Sequence, residues 1–153
     1  MGRHRREGRG FTLVELLVVI AILAILMSLV TAGAQAARRR GAMTKGKSTI
    51  ASLETAISMY VGDMGKYPSS GNVPLVKALQ DDPQDTNWAG PYMEFKADEL
   101  DSEGRLLDPW GSPYEYVSVA DGSPKHRSRS YDLWSSGPNR ENEDGAGDDL
   151  VNW

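Results

Sequence analysis

From Phe11 to Ala34 the chain is apolar with one charged interruption, Glu15. At about 1.5 Å per helical residue this stretch reaches ~36 Å, enough to cross a hydrocarbon core of ~30 Å. Residues 11–34 therefore read as a membrane-spanning helix. Beyond Arg40-Gly41 the apolar positions recur at Ile50, Leu53, Ile57, Tyr60 or Val61, and Met64. That spacing of three and four describes one amphipathic face. Together the patterns predict a single rod, membrane-spanning over 11–34 and amphipathic over 35–65. Gly62 and Gly65, with Pro68 just beyond, signal its end.

The remainder, 66–153, predicts a small α/β head. Tyr67 to Asn72 is turn-rich, and 72–80 reads as a short helix with Asn72 as its cap and Pro74 in the first turn. Leu75, Val76 and Leu79 pack inward, and Asp81-Asp82-Pro83 ends the helix. Gly90-Pro91-Tyr92-Met93 opens an irregular extended segment, 99–105 is a polar loop, and Asp108-Pro109-Trp110-Gly111 fits a type I turn. Residues 113–119 and 130–134 are rich in aromatic and β-branched side chains, with turn chemistry at Asp121-Gly122-Ser123 between them. They predict a small antiparallel sheet on the amphipathic half of the rod. Tyr114, Tyr116, Tyr131, Trp134 and Trp110 are expected in the core and on the sheet faces rather than as a nucleic-acid platform.

Composition narrows the function. With 153 residues there is room for one modest core beyond the helix, and a net charge of -4 with 25% charged residues argues against a nucleic-acid partner. No cysteine is present, so no disulfide can staple the head. There is no phosphate-cradling glycine loop after a strand and no Ser-His-Asp set, so the chain reads as a non-enzyme. Of the two histidines, His4 precedes the apolar run, and His126 sits in a Lys125-His126-Arg127 turn expected to be solvated. Glu15 is the oddity, because a charge in a membrane helix costs on the order of 2.5–3.5 kcal/mol on insertion scales and marks a pairing role. The ten residues ahead of the run carry Arg3, Arg5, Arg6 and Arg9 against Glu7, like the basic n-region of an export signal. However, the small residue Gly10 stands before the apolar run, whereas ordinary signal peptidase cuts after one.

The stretch Gly10-Phe11-Thr12-Leu13-Val14-Glu15-Leu16-Leu17-Val18-Val19-Ile20 resembles the class III signal of type IV pilins and type II secretion pseudopilins. The resemblance implies cleavage after Gly10 by a prepilin peptidase, N-methylation of the new terminal Phe11, and a retained membrane helix. It also implies that Glu15 faces the terminal amine of a neighbouring copy in an assembled filament. The segment from Asp108 to Tyr114 and the tail, Tyr131 to Gly137 and Asp149 to Trp153, are similar to the major pseudopilins of type II secretion. That family implies a type IV pilin-like α+β fold: a long N-terminal helix on a small antiparallel sheet, with a C-terminal calcium loop. It further implies a single-pass inner-membrane protein with a periplasmic head. Other copies, minor pseudopilins and the inner-membrane secretion platform are the implied partners in a filament that drives protein export. Counting Lys and Arg on both sides of the span does not by itself put the N-terminus inside, since Arg38, Arg39, Arg40, Lys45 and Lys47 follow it; the pilin signal decides the orientation. The alternatives are an adhesion or DNA-uptake pilin, for which a cysteine pair is expected, and an anchored calcium-binding module that never polymerises.

The last segment to weigh is 139–149, where Glu141, Glu143, Asp144, Asp148 and Asp149 are opposed by Arg140 alone. A bare loop of this kind repels itself. A hard cation taking six to eight oxygens relieves that repulsion, which is calcium chemistry, while a solvated acidic tail is the other reading. The spacing is not that of an EF-hand, since Leu150 stands where its twelfth-position Glu is needed. The pseudopilin resemblance implies calcium ligands at Asn139 and Asp149 with Ser136 and Gly137 as neighbours. It leaves Glu143, Asp144 and Asp148 as further candidates.

Overall fold

The computed structural model describes residues 11–153; Gly10, the expected cleavage position, lies outside the described residues. Helix α1 runs without interruption over Leu13–Met64. It stops at Gly65, whose φ of 66° takes the left-handed conformation that glycine adopts without penalty, and whose N–H donates to the Val61 carbonyl at 2.9 Å. Gly62, expected to share in the stop, lies inside the helix, where a single glycine costs only about 1 kcal/mol.

The chain forms two compact units, one up to Arg40 and the other Gly41–Trp153. In the first, the apolar side chains from Phe11 to Met27 that carry large hydrophobic groups are 45–79% exposed. A helix apolar on every side has no reason to remain in water, and this one is long and apolar enough to cross a membrane.

The second unit has its own core. Ile50, Leu53, Ala56, Ile57 and Tyr60 form the buried face of α1 that the spacing predicts. Helix α2, Asn72–Gln80, adds Leu75, Val76 and Leu79. The sheet is antiparallel in the order β1 (Glu115–Ser118), β2 (Tyr131–Ser135), β3 (Leu150–Val151). Its register pairs Tyr116 with Leu133 and Ser135 with Leu150. Tyr114, Tyr116, Tyr131 and Leu133 complete the cluster with Phe95, Leu106 and Leu150. Each fully buried Leu or Ile contributes about 1.5–3 kcal/mol relative to exposure.

Two local expectations are corrected. β1 begins after the aromatic run starts, because Pro113 and Tyr114 pair with the 106–107 segment instead: Pro113 bridges Leu107, and the Tyr114 N–H donates to the Leu106 carbonyl at 3.1 Å. Asn72 does not cap α2; Gly71, with φ of 104°, holds the cap position, and no side chain bonds there. The Asn72 amide spans the molecule instead. It accepts the Leu106 N–H at 2.6 Å and donates to the carbonyls of Tyr114 (2.6 Å) and Leu106 (3.0 Å). A half-buried tie of three hydrogen bonds to two distant segments outweighs a cap worth about 1 kcal/mol.

Candidate functional sites: the helix start and the acidic loop

At the start of α1, Glu15 is tied to its own helix. Its Oε2 accepts the Thr12 N–H at 2.9 Å and the Thr12 hydroxyl at 2.8 Å, while the Glu15 N–H donates to Thr12 Oγ1 at 3.2 Å. This is a reciprocal capping box, two N-terminal donors satisfied by a Thr-x-x-Glu pair. The Thr-x-x-Glu spacing is legible in the sequence, where Glu15 stands out instead as a charge in an apolar run and as part of the pilin-like signal. Phe11, the residue expected to become the terminus, is 79% exposed.

The acidic loop, 136–149, is closed by the β2–β3 pairing of Ser135 with Leu150. Just inside it, Gly137 has φ of 62°, and a Cβ there would collide with the backbone carbonyl of Asp148. That close approach folds the loop on itself. The Asn139 N–H donates to Asp148 Oδ2 at 3.2 Å, and its side-chain amide to Glu143 Oε2 at 2.9 Å. Asp149 Oδ2 accepts the N–H groups of Glu143 and Gly145 at 3.0 and 2.9 Å.

Asn139, Glu143, Asp148 and Asp149 are thus brought together, with Ser136 half-buried where the chain leaves β2. Asp144 is directed elsewhere. Its backbone is left-handed (φ 58°) and its carboxylate meets Lys125 Nζ at 3.1 Å, with His126 Nε2 at 3.7 Å. The hydrogen bond from Lys125 holds the Asp144 carboxyl below its ordinary range.

Two oxygens in the loop are left over. Asp148 Oδ1 and Asp149 Oδ1 are buried without a hydrogen-bond partner. Buried, unpartnered carboxylate oxygens are costly. Among the described residues no three His, Asp or Glu side chains are grouped to hold an ion alone, so any cation here needs backbone or amide oxygens as well. Calcium accepts such a mixed oxygen set, and the donor chemistry of the loop fits it.

The Lys125-His126-Arg127 turn is exposed, as expected, and it also acts as a clamp. Its His126 and Arg127 N–H groups donate to the buried Asp132 carboxylate at 2.9 and 2.8 Å. Arg127 Nη1 reaches Glu54 Oε1 at 3.0 Å and the Asn152 carbonyl at 3.1 Å. The His126 ring stacks on Trp153 with centroids 4.0 Å apart. Nothing in the local sequence points to these partners, which lie on other segments of the chain.

Residues 34–153 match the family described as Type II secretion system (T2SS), protein G, and residues 5–31 match the prokaryotic N-terminal methylation motif. The type II secretion system core protein G of Pseudomonas aeruginosa is 33% identical over 159 aligned residues covering 98% of each chain. Its Escherichia coli K12 counterpart is 34% identical over 157, covering 99% of this chain and 94% of its own. The crystal structure of the major pseudopilin from the type 2 secretion system of enterohaemorrhagic Escherichia coli covers 78% of this chain and 92% of its own at 25% identity. Its TM-score against this chain is 0.47. Similarity that extends from the basic leader through the helix to the end of the head accounts for the chain as a whole, which belongs to the type II secretion system protein G family, structural major pseudopilins with a prepilin-type N-terminal motif.

Proposed function

We propose that the chain is made as a prepilin, cut after Gly10 by a prepilin peptidase, methylated on Phe11 and stored in the inner membrane as a single-pass protein with its head in the periplasm. From there it polymerises through α1 into a periplasmic filament that drives protein export across the outer membrane, alongside minor pseudopilins and the secretion platform. The observation that carries this reading is a helix start apolar on every side with one carboxylate, Glu15, at its first turn. Lipid covers that surface in the monomer, and neighbouring helices cover it in the filament. Glu15 holds its own cap until a neighbour's terminal amine arrives as a charged partner, the compensation that a carboxylate in lipid needs.

We further infer that the acidic loop holds calcium, with Asp148 and Asp149 as carboxylate ligands and Asn139, Glu143 and the backbone near Ser136 completing the set. The ion supplies positive charge that relieves carboxylate repulsion and staples a loop that has no disulfide. Asp144, engaged with Lys125, anchors the outer side of the loop.

Mass spectrometry of the membrane form tests the first reading: loss of residues 1–10 and one methyl on Phe11 are expected, and an intact N-terminus refutes it. The second is tested by melting the full chain in detergent micelles with calcium or chelator, followed by tryptophan fluorescence. All four tryptophans lie between residues 88 and 153, so the signal reports the head alone. Calcium at a hundredfold excess over Kd is expected to add about 2.7 kcal/mol, and Asp149→Ala to abolish the gain. Equal melting in both buffers refutes the calcium reading.

A further inference from the structure

We propose that Asp108, distant in sequence from the acidic loop, is a positioning residue that sets the loop's affinity for its cation; this rests on the calcium reading above. Asp108 is 5% exposed, and among the described residues it makes no ion pair. Its Oδ1 accepts the N–H groups of Trp110 (2.9 Å) and Ser112 (2.8 Å), closing the Asp-Pro-Trp-Gly-Ser turn. Its Oδ2 accepts the hydroxyl proton of Ser135 at 2.6 Å.

That last bond fixes the direction of the next. Ser135 is fully buried at the end of β2, and a carboxylate can only accept, so the hydroxyl donates to Asp108 and keeps its lone pairs for another donor. The donor is the Gly137 N–H, at 3.1 Å. Gly137 is the residue whose backbone lies against the Asp148 carbonyl. A relay therefore runs from Asp108 through Ser135 and Gly137 to Asp148, one of the two residues with an unpartnered oxygen. Of the two carboxylate oxygens only Oδ1 bonds to the turn, which the backbone bonds from the Asp108 N–H to the Ser112 carbonyl and from the Gly111 N–H to the Asp108 carbonyl also close, so a purely local role leaves Oδ2 unexplained. With the relay intact, the first loop residues are already ordered when the ion arrives. With it broken, binding must order them, and affinity falls.

The test uses the full chain in detergent micelles, with Kd for calcium by isothermal titration and melting in chelator followed by tryptophan fluorescence. Ser135→Ala removes the relay and leaves the Asp108 turn bonds in place. Asp108→Asn keeps an acceptor for the turn and sets an amide donor against Ser135. Both are expected to raise Kd by about 10–100-fold, the usual effect of removing a partner that orients a metal ligand. Ser135→Thr, which keeps the hydroxyl, is expected to restore it. A merely structural role lowers melting in chelator and in calcium equally and leaves Kd unchanged, and that outcome overturns the proposal. If Asp108→Asn does not fold, Ser135→Ala and Ser135→Thr decide it alone. Absence of calcium binding by the unsubstituted chain refutes the calcium reading itself and the proposal with it, whereas normal binding by that chain and by both variants refutes only the proposal.

Discussion

Gly137→Ala separates two costs that the structure superposes at one position. An alanine at φ 62° loses about 1–2 kcal/mol to left-handed backbone strain. Its Cβ also meets the carbonyl carbon and oxygen of Asp148, backbone atoms held by the neighbouring β2–β3 pairing, which adds about 1–3 kcal/mol of overpacking. The expected loss is therefore about 2–5 kcal/mol. Gly104→Ala provides the control: its φ is 78°, but nothing lies within 4 Å of the added Cβ. There only the backbone term of about 1–2 kcal/mol applies. Urea unfolding of the full chain in micelles, read by tryptophan fluorescence with chelator present, compares the two without a contribution from metal. If Gly137→Ala costs no more than Gly104→Ala, the two ends of the acidic loop do not meet as described, and the relay from Asp108 ends at Gly137.

Glu15→Ala and Thr12→Ala both dissolve the capping box, costing the helix start about 1 kcal/mol. Only Glu15→Ala is expected to abolish crosslinkable filaments, and equal loss in both variants reduces Glu15 to a cap. Because the folded carboxyls of Asp144 (hydrogen-bonded by Lys125) and Asp121 (by the Ser70 N–H) titrate below their unfolded values, their contribution is present above about pH 4 and is lost as pH falls through the folded values. Lys125→Met is expected to flatten the decline in melting temperature between about pH 4 and pH 2; an unchanged slope refutes the pairing. Burial pushes the Tyr114 and Tyr131 hydroxyls up to about 12, so the stability they carry is complete below about pH 10 and is lost as pH rises toward their folded values. Absorbance at about 295 nm is expected to show these tyrosines ionising late, and a single transition near pH 10 in the folded protein refutes their burial.

Sequence alone determined the elements whose cause is local. The apolar run and the three-and-four spacing from Ile50 to Met64 are properties of one helix, and they gave the course of α1 and its buried face. α2 followed from the turn before it, Pro74 and the apolar positions Leu75, Val76 and Leu79. The two longer strands were visible as aromatic and β-branched runs, though not their limits. The repulsion among five carboxylates was equally legible, since it depends only on their crowding in the chain. Tertiary structure decided the rest. β3 is two residues long, too short to leave a period, and exists because Trp134 and Ser135 offer it a partner. Asn72 left the cap of α2 for Leu106 and Tyr114, more than thirty residues away. Asp144 is held out of the loop by a lysine nineteen residues before it, and Ser135, at the loop's entrance, is held by Asp108 from twenty-seven residues before it. Period, propensity and local charge are written along the chain, whereas the partner of a buried polar atom is fixed only when folding brings distant segments to within about 3 Å.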